Sequence, residues 1–231
     1  TTNGGNNWVK LSGTPVISFR DLAIQRREND LVGASFGRSF YIFDDYSVLR
    51  TVSRKQMEEE DILFPTRKSW WYIPRSHLDF YSKKGQLGAG HYVAENPEYG
   101  AVFTYYLKED IKSLKEIRQE KEKKLDEKNR DIPFPGWEEL EIEKQQDKIK
   151  VWISIEDSQG NTVRRVFAPA KKGFHRVAWD FRYPSPYAIK VDTESKENLP
   201  PEPSSGLLAP PGTYSATLFR QIDGKISKLA G

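Results

Sequence analysis

Apolar residues over the first fifty positions come in short bursts that alternate with polar ones, the two-residue period of half-buried strands rather than the longer step of a helix. "FRDLAIQ" (19–25), "DLVGASF" (30–36) and "SFYIFDD" (39–45) each have strand length, and "REND" and "GR" between them carry turn chemistry. With "WVKL" ahead of them, the pattern predicts one four-stranded sheet over residues 1–50. Such a sheet has two apolar faces and cannot bury both alone. Leu22, Ile24, Val32 and Ile42 are therefore expected to be covered by the rest of the chain or by a second copy.

The alternation weakens over 51–90, where "SWWYIP" and its surroundings mix aromatics with Pro and Gly at no clear period; this stretch reads as a connector. It returns in "HYVAENPEYGAVFTYYL" (91–107), with a turn at "NPEYG". Residues 108–148 are rich in helix formers. Ile111, Leu114 and Ile117 make a thin apolar stripe, and the chain turns at Pro133 to Gly136, which predicts a charged helical hairpin inserted between strands. Strands resume in "IKVWISIED", "TVRRVFAP" and "KKGFHRVAWDFR". After a Pro- and Ser-rich loop come "PGTYSATLFRQ" and a closing strand joined by a "DG" hairpin signal. Antiparallel strands at these intervals predict a sandwich over 91–231 carrying the hairpin at 108–148, with Trp152 and Trp179 buried. The fold class is mainly β.

Composition sharpens this in three ways. Aromatics reach 13% of the 231 residues, which suits pleated faces. The charge of +3, from 36 basic and 33 acidic residues, is too nearly balanced to point to nucleic acid or an anionic membrane. There is no apolar run long enough to span a bilayer and no Cys, so membrane spans, disulfides and thiolate zinc sites are not expected. Such a chain suits either cytoplasm or periplasm. A chain beginning inside a turn motif is what a fragment or processed product would show, so the missing signal peptide carries little weight.

The opening "TTNGGNNW" has the spacing of a degenerate Asp box, the turn that closes a propeller-blade hairpin. Thr1 and Asn3 stand where side-chain acceptors tie the turn, Gly5 where a left-handed residue is needed, and Trp8 where an aromatic plugs the blade. This box is structural and performs no chemistry. "GASFG" followed by Arg38 hints at a phosphate loop but opens a strand, not a helix. Asp44 and Asp45 are adjacent and point to opposite faces, which rules them out as a facing catalytic pair; they fit better as turn caps or partners of Arg38 or Arg50. His77, His91 and His175 stand far apart without acidic neighbours at ligand spacing, and no nucleophile motif is present. No catalytic residue, metal ligand or cofactor is expected. Trp70, Trp71, Tyr72 and Tyr81, with Tyr105 and Tyr106, have the composition of an aromatic platform on which sugar rings stack.

Together these strings resemble a known family. "DLAIQRRENDLVGASFGRSFYIFDDYSVLR" is similar to the last blade of large bacterial sortilin-like or BNR (Asp-box) repeat β-propellers, with Gly33, Gly37, Arg38, Ser39, Asp44, Asp45, Leu49 and Arg50 fitting. Ala34, Ser35 and Phe36 depart from the usual glycine, threonine and histidine. "NPEYGAVFTYYLKED", "IEDSQGNTVRRV", "KKGFHRVAWDFRYP" and "APPGTYSATL" resemble the C-terminal domain of the same proteins, and their order resembles the Ig-like domain of flagellar hook capping proteins.

The resemblance implies a terminal propeller blade (1–50), a connector (51–90) and an Ig-like sandwich (91–231). It implies a periplasmic or secreted location and, as partners, the remaining blades of a parent protein, with a homo-oligomer through the exposed blade as a further expectation. The expected role is a non-catalytic structural or interaction module. The alternatives are a carbohydrate-binding module of a glycan-active propeller, or a fragment of a glycosidase or peptidase whose active cleft lies in other blades.

Overall fold

A computed structural model describes residues 13–73, 97–186 and 206–231, together with Gly5, Asn6, Trp8, Lys10 and Ala94. The chain forms two compact units, Thr1–Gln56 and Met57–Gly231.

The first unit is an antiparallel meander of β1 (Phe19–Gln25), β2 (Asp30–Ser35) and β3 (Phe40–Phe43), in that order across the sheet. It is followed by the short helix α1 (Val48–Thr51). Tight turns set the register: Asn29 takes φ 59° before β2, and Gly37 and Ser39 take φ 72° and 65° before β3. Gly33 is buried because the Phe19 ring lies across it, where a Cβ would come within 2.7 Å, and Phe19 meets Tyr41 edge-on at 5.8 Å. Asp45 accepts the Ser47 hydroxyl at 2.6 Å while its own N–H donates to Asp30 at 2.9 Å, so it acts as a turn cap at the entry to α1. The Arg50 guanidinium lies over the Tyr46 ring and reaches Asn29. The sheet has three strands rather than four: of the "WVKL" stretch, Trp8 and Lys10 belong to no strand, and Val9 and Leu11 lie outside the described residues. Leu22, Ile24 and Ile42 are exposed.

The second unit begins within α2 (Arg54–Glu59) and holds, among its described residues, seven strands: β4 (Ile62–Leu63), β5 (Ala101–Leu107), β6 (Lys150–Glu156), β7 (Thr162–Ala168), β8 (Gly173–Trp179), β9 (Ser215–Ile222) and β10 (Lys225–Ala230). They form two antiparallel sheets, β4-β5-β8 and β10-β9-β6-β7. One core joins them: Ala101, Phe103, Tyr105 and Leu107 from β5 and Trp179 from β8 meet Val151, Ile153 and Ile155 from β6, Val163 from β7 and Leu218 from β9. Alternate residues of each strand face inward, as period two requires. This is a three-on-four, Ig-like sandwich in which the fourth strand, β7, stays beside β6. The turn between them explains why. Asp157 accepts the Gln159 and Asn161 N–H groups at 2.9 Å and Gly160 takes φ 83°, a tight connection that leaves β7 no route to the other sheet. Trp152 is buried, but on the outer face of its sheet, stacked on Phe219 at 5.8 Å with Arg165 over its ring. The stretch expected to be a connector thus supplies a strand, β4, to the sandwich.

Between β5 and β6 stand the two predicted helices, α3 (Leu114–Asp126) and α4 (Trp137–Gln145). Ser113 and Glu116 form a reciprocal capping box at the start of α3. Arg118 clasps Glu143 through two nitrogens, at 2.7 and 3.0 Å, and Glu122 at 2.6 Å, tying the helices side by side. At the root, the Leu114 N–H donates to the Gln146 side chain at 2.8 Å, and Lys112 pairs with Glu120. Neither helix has a fully buried residue, so the hairpin is held by charge and caps more than by a core.

Two outcomes follow. Gly100 takes φ 120°, and a Cβ there would lie 1.9 Å from the Trp179 carbonyl oxygen, so Gly100→Ala should destabilise the sandwich by at least ~3 kcal/mol; an unchanged urea midpoint would contradict this packing. In the hairpin, bonds to Lys112 and Lys124 pull the Glu120 carboxyl down to about 2, and Arg118 lowers that of Glu143. Folded values below unfolded ones mean a contribution present above the ordinary carboxyl range and lost as pH falls from about 4.5 toward 2. Helix amides of 114–145 should therefore lose hydrogen-exchange protection in that window before the strands do, and Glu143→Gln should flatten the dependence.

Candidate functional site: an aromatic cleft at one end of the sandwich

The site is created by the early end of β4. Ile62 pairs with Tyr106 and Leu63 with Tyr105, and the Phe64 N–H still donates to the Thr104 carbonyl at 3.0 Å. Pro65 has no N–H to continue the ladder, and the chain leaves the sheet there. Residues 66–71 then form one wall of a cleft of about 770 Å³. Its floor is the rim of the core, Ala101, Phe103, Ile155 and Trp179; its far wall is the loop 208–214 and the start of β9.

That far wall is fixed to the segment that follows β8. The Tyr183 N–H donates to the Leu207 carbonyl at 2.9 Å and the Ala209 N–H to the Phe181 carbonyl at 2.7 Å, while the Arg182 side chain holds the Gly206 carbonyl at 3.0 Å. The Trp179 indole N–H is satisfied by the Arg182 carbonyl at 2.9 Å. A run of edge-on rings crosses the site: Tyr72 on Tyr99 at 5.0 Å, Tyr99 on Phe181 at 5.5 Å, Phe181 on Trp179 at 5.6 Å and Trp179 on Tyr214 at 5.1 Å. The Tyr214 hydroxyl donates to the Pro210 carbonyl at 2.5 Å, and burial pushes its pKa up.

Of the expected platform, Trp70 and Trp71 both line the cleft and are each 58% exposed; Tyr72 stands beside them on Tyr99, and Tyr81 lies outside the described residues. The Lys68 ammonium sits 4.7 Å from the centre of the Trp70 ring. Tyr105 does not join the platform: it is fully buried and its hydroxyl donates to the Pro169 carbonyl, because its position in β5 faces the core. Tyr106 packs on Phe174 instead. The described residues of the cleft wall include Arg67 and Lys68 but no Asp, Glu or His. Sequence reading missed the far wall and Phe181, although "APPGTY", with its paired prolines ahead of Gly212 and Tyr214, was the available signal.

The other candidates give no site. Gly5 has φ 97°, the left-handed turn residue an Asp box needs, whereas Thr1 and Asn3 lie outside the described residues. Trp8, expected to plug a blade, is 79% exposed. "GASFG" ends β2 and leads into β3, with no helix N-terminus for a phosphate. His175 is stacked on Tyr105 and bonded to the Lys171 carbonyl, His77 and His91 lie outside the described residues, and no group of metal-binding side chains occurs among those described. No described helix is long and apolar enough to cross a membrane. No family model matches the chain, and neither a curated protein nor a solved structure matches it.

With Trp8 and Trp137 replaced by Phe, the exposed indoles left are Trp70 and Trp71, beside two cations. Relative to free tryptophan, quenching by iodide should then be enhanced and quenching by caesium depressed. Accessibility ratios equal for the two ions would place Arg67 and Lys68 away from the rings.

Proposed function

We propose that this chain is a non-catalytic interaction module of a larger β-propeller protein, periplasmic or secreted, with β1–β3 as one blade among the partner blades of the parent. The observation that carries this reading is the cleft: open, aromatic, and lined in its described part by Arg67, Lys68 and hydroxyl side chains, with no Asp, Glu or His. A facing pair of carboxylates, which glycoside hydrolysis needs, is absent from its described lining. The exposed apolar faces of β1–β3 fit a sheet that is one layer of something larger.

A second reading is favoured by Trp70 and Trp71. Two half-exposed indoles beside Thr66, Ser69 and Thr213 combine ring-stacking faces with hydroxyls, the chemistry that holds a polysaccharide. On the first reading, purified chain turns over no glycoside or peptide substrate; turnover abolished by replacing one carboxylate would overturn it. On the second, mobility in affinity gels containing polysaccharide is retarded, and Trp71→Ala restores free mobility. Unretarded mobility in every polysaccharide tested would leave the first reading alone.

A further inference from the structure

The hairpin carries an apolar surface of its own. Between α3 and α4, "DIPFPGW" exposes Ile132, Phe134 and Trp137, the last two 62% and 79% accessible, and their rings meet edge-on at 5.2 Å. Pro133 and Pro135 restrict the backbone on either side of Phe134, so little conformational freedom remains to be lost when this tip is bound.

Strand register places the root of the hairpin and the cleft at opposite ends of the sandwich. Ala101 of β5 pairs with Trp179, and both lie in the cleft floor; Leu107, six residues on, pairs with Gly173 at the other end, where the chain leaves for the hairpin. Likewise β6 starts at Lys150, opposite Gln221, beside the hairpin root and reaches Ile155, opposite Ala216, at the cleft. Hydrogen bonds from Ile111 to Ala170 and from Lys172 to Asp110 fasten the root at that far end. The two surfaces are also complementary in charge. From the end of α3 through the first turn of α4, residues 126–139 hold five carboxylates against two cations, Lys128 and Arg130, whereas the described cleft wall holds Arg67 and Lys68 and no carboxylate.

We propose that the hairpin tip of one copy of this chain seats in the cleft of another, so that copies associate head to tail. The proposal rests on the reading of the cleft as a binding site and names its occupant. Phe134 and Trp137 enter between the Trp70–Trp71 wall and the loop at Pro210 and Pro211, and the acidic first turn of α4 faces Arg67 and Lys68. Donor and socket are different surfaces, so the contact is heterologous and propagates into rings or open chains rather than stopping at a symmetric dimer. A contact of three apolar side chains is small, which places it among weak, concentration-dependent associations.

Sedimentation velocity on wild type, Trp137→Ala, Trp71→Ala and an equimolar mixture of the two variants tests this, with circular dichroism showing that each variant is folded. Wild type should grow with concentration beyond a dimer. Each variant alone should stay monomeric, and the mixture should form a one-to-one dimer and grow no further, because one intact tip meets one intact cleft. A wild type that is monomeric up to about 1 mM, a variant that associates as wild type does, or a mixture that fails to complement would overturn the proposal. If it fails while polysaccharide still retards wild type and not Trp71→Ala, the cleft remains a binding site with a different occupant. If retardation fails as well, both readings of the cleft fall.

Discussion

Trp179 is the residue on which the second unit depends. Its backbone leaves no room for a side chain at Gly100, its indole N–H is paired with Arg182, and its ring holds both Phe181 and Tyr214 edge-on. These contacts fix where β8 ends, where the returning chain at 206–209 runs and how far Tyr214 stands from the floor. Removing an aromatic of this size from a core costs ~3–5 kcal/mol. Here it would also detach the wall from the floor, so the architecture of the sandwich and the shape of the cleft have one common origin.

The cleft exists because a strand is cut short. A continued β4 would have covered the first half of β5 and closed the sandwich; Pro65 prevents that and sends an aromatic-rich segment along the opening instead.

Much of this was legible in the alternation of residues. The strands β1, β2, β3, β5, β6, β7 and β8 follow apolar runs bounded by Gly, Asn or Asp turns, and the hairpin follows its charge pattern and the Pro133–Gly136 break. Three features were not legible, each for a physical reason. Two residues are too few to show a period, so β4 was hidden in the connector. Trp152 and Ile153 are both buried because both faces of β6 are covered, and burial alone does not say which face a ring occupies. The cleft joins segments near 70, 100, 180 and 210, and a site built from separated irregular segments leaves no local pattern. Only its exposed half, Trp70 and Trp71, was conspicuous as a cluster.

The bond from the Leu114 N–H to Gln146 has a bearing on how the chain finds its fold. The end of β5 and the start of β6 belong to opposite sheets and are separated by the whole insertion, a long loop to close by diffusion. Helices form and pair by local contacts, far faster than distant strands meet. Once α3 and α4 have paired, the ends of the insertion are already side by side, and the search for β6 starts from a short tether. In the folded chain the paired helices thus bring the ends of β5 and β6 together across an insertion of more than forty residues, so the long connection spans only a short gap at the sandwich.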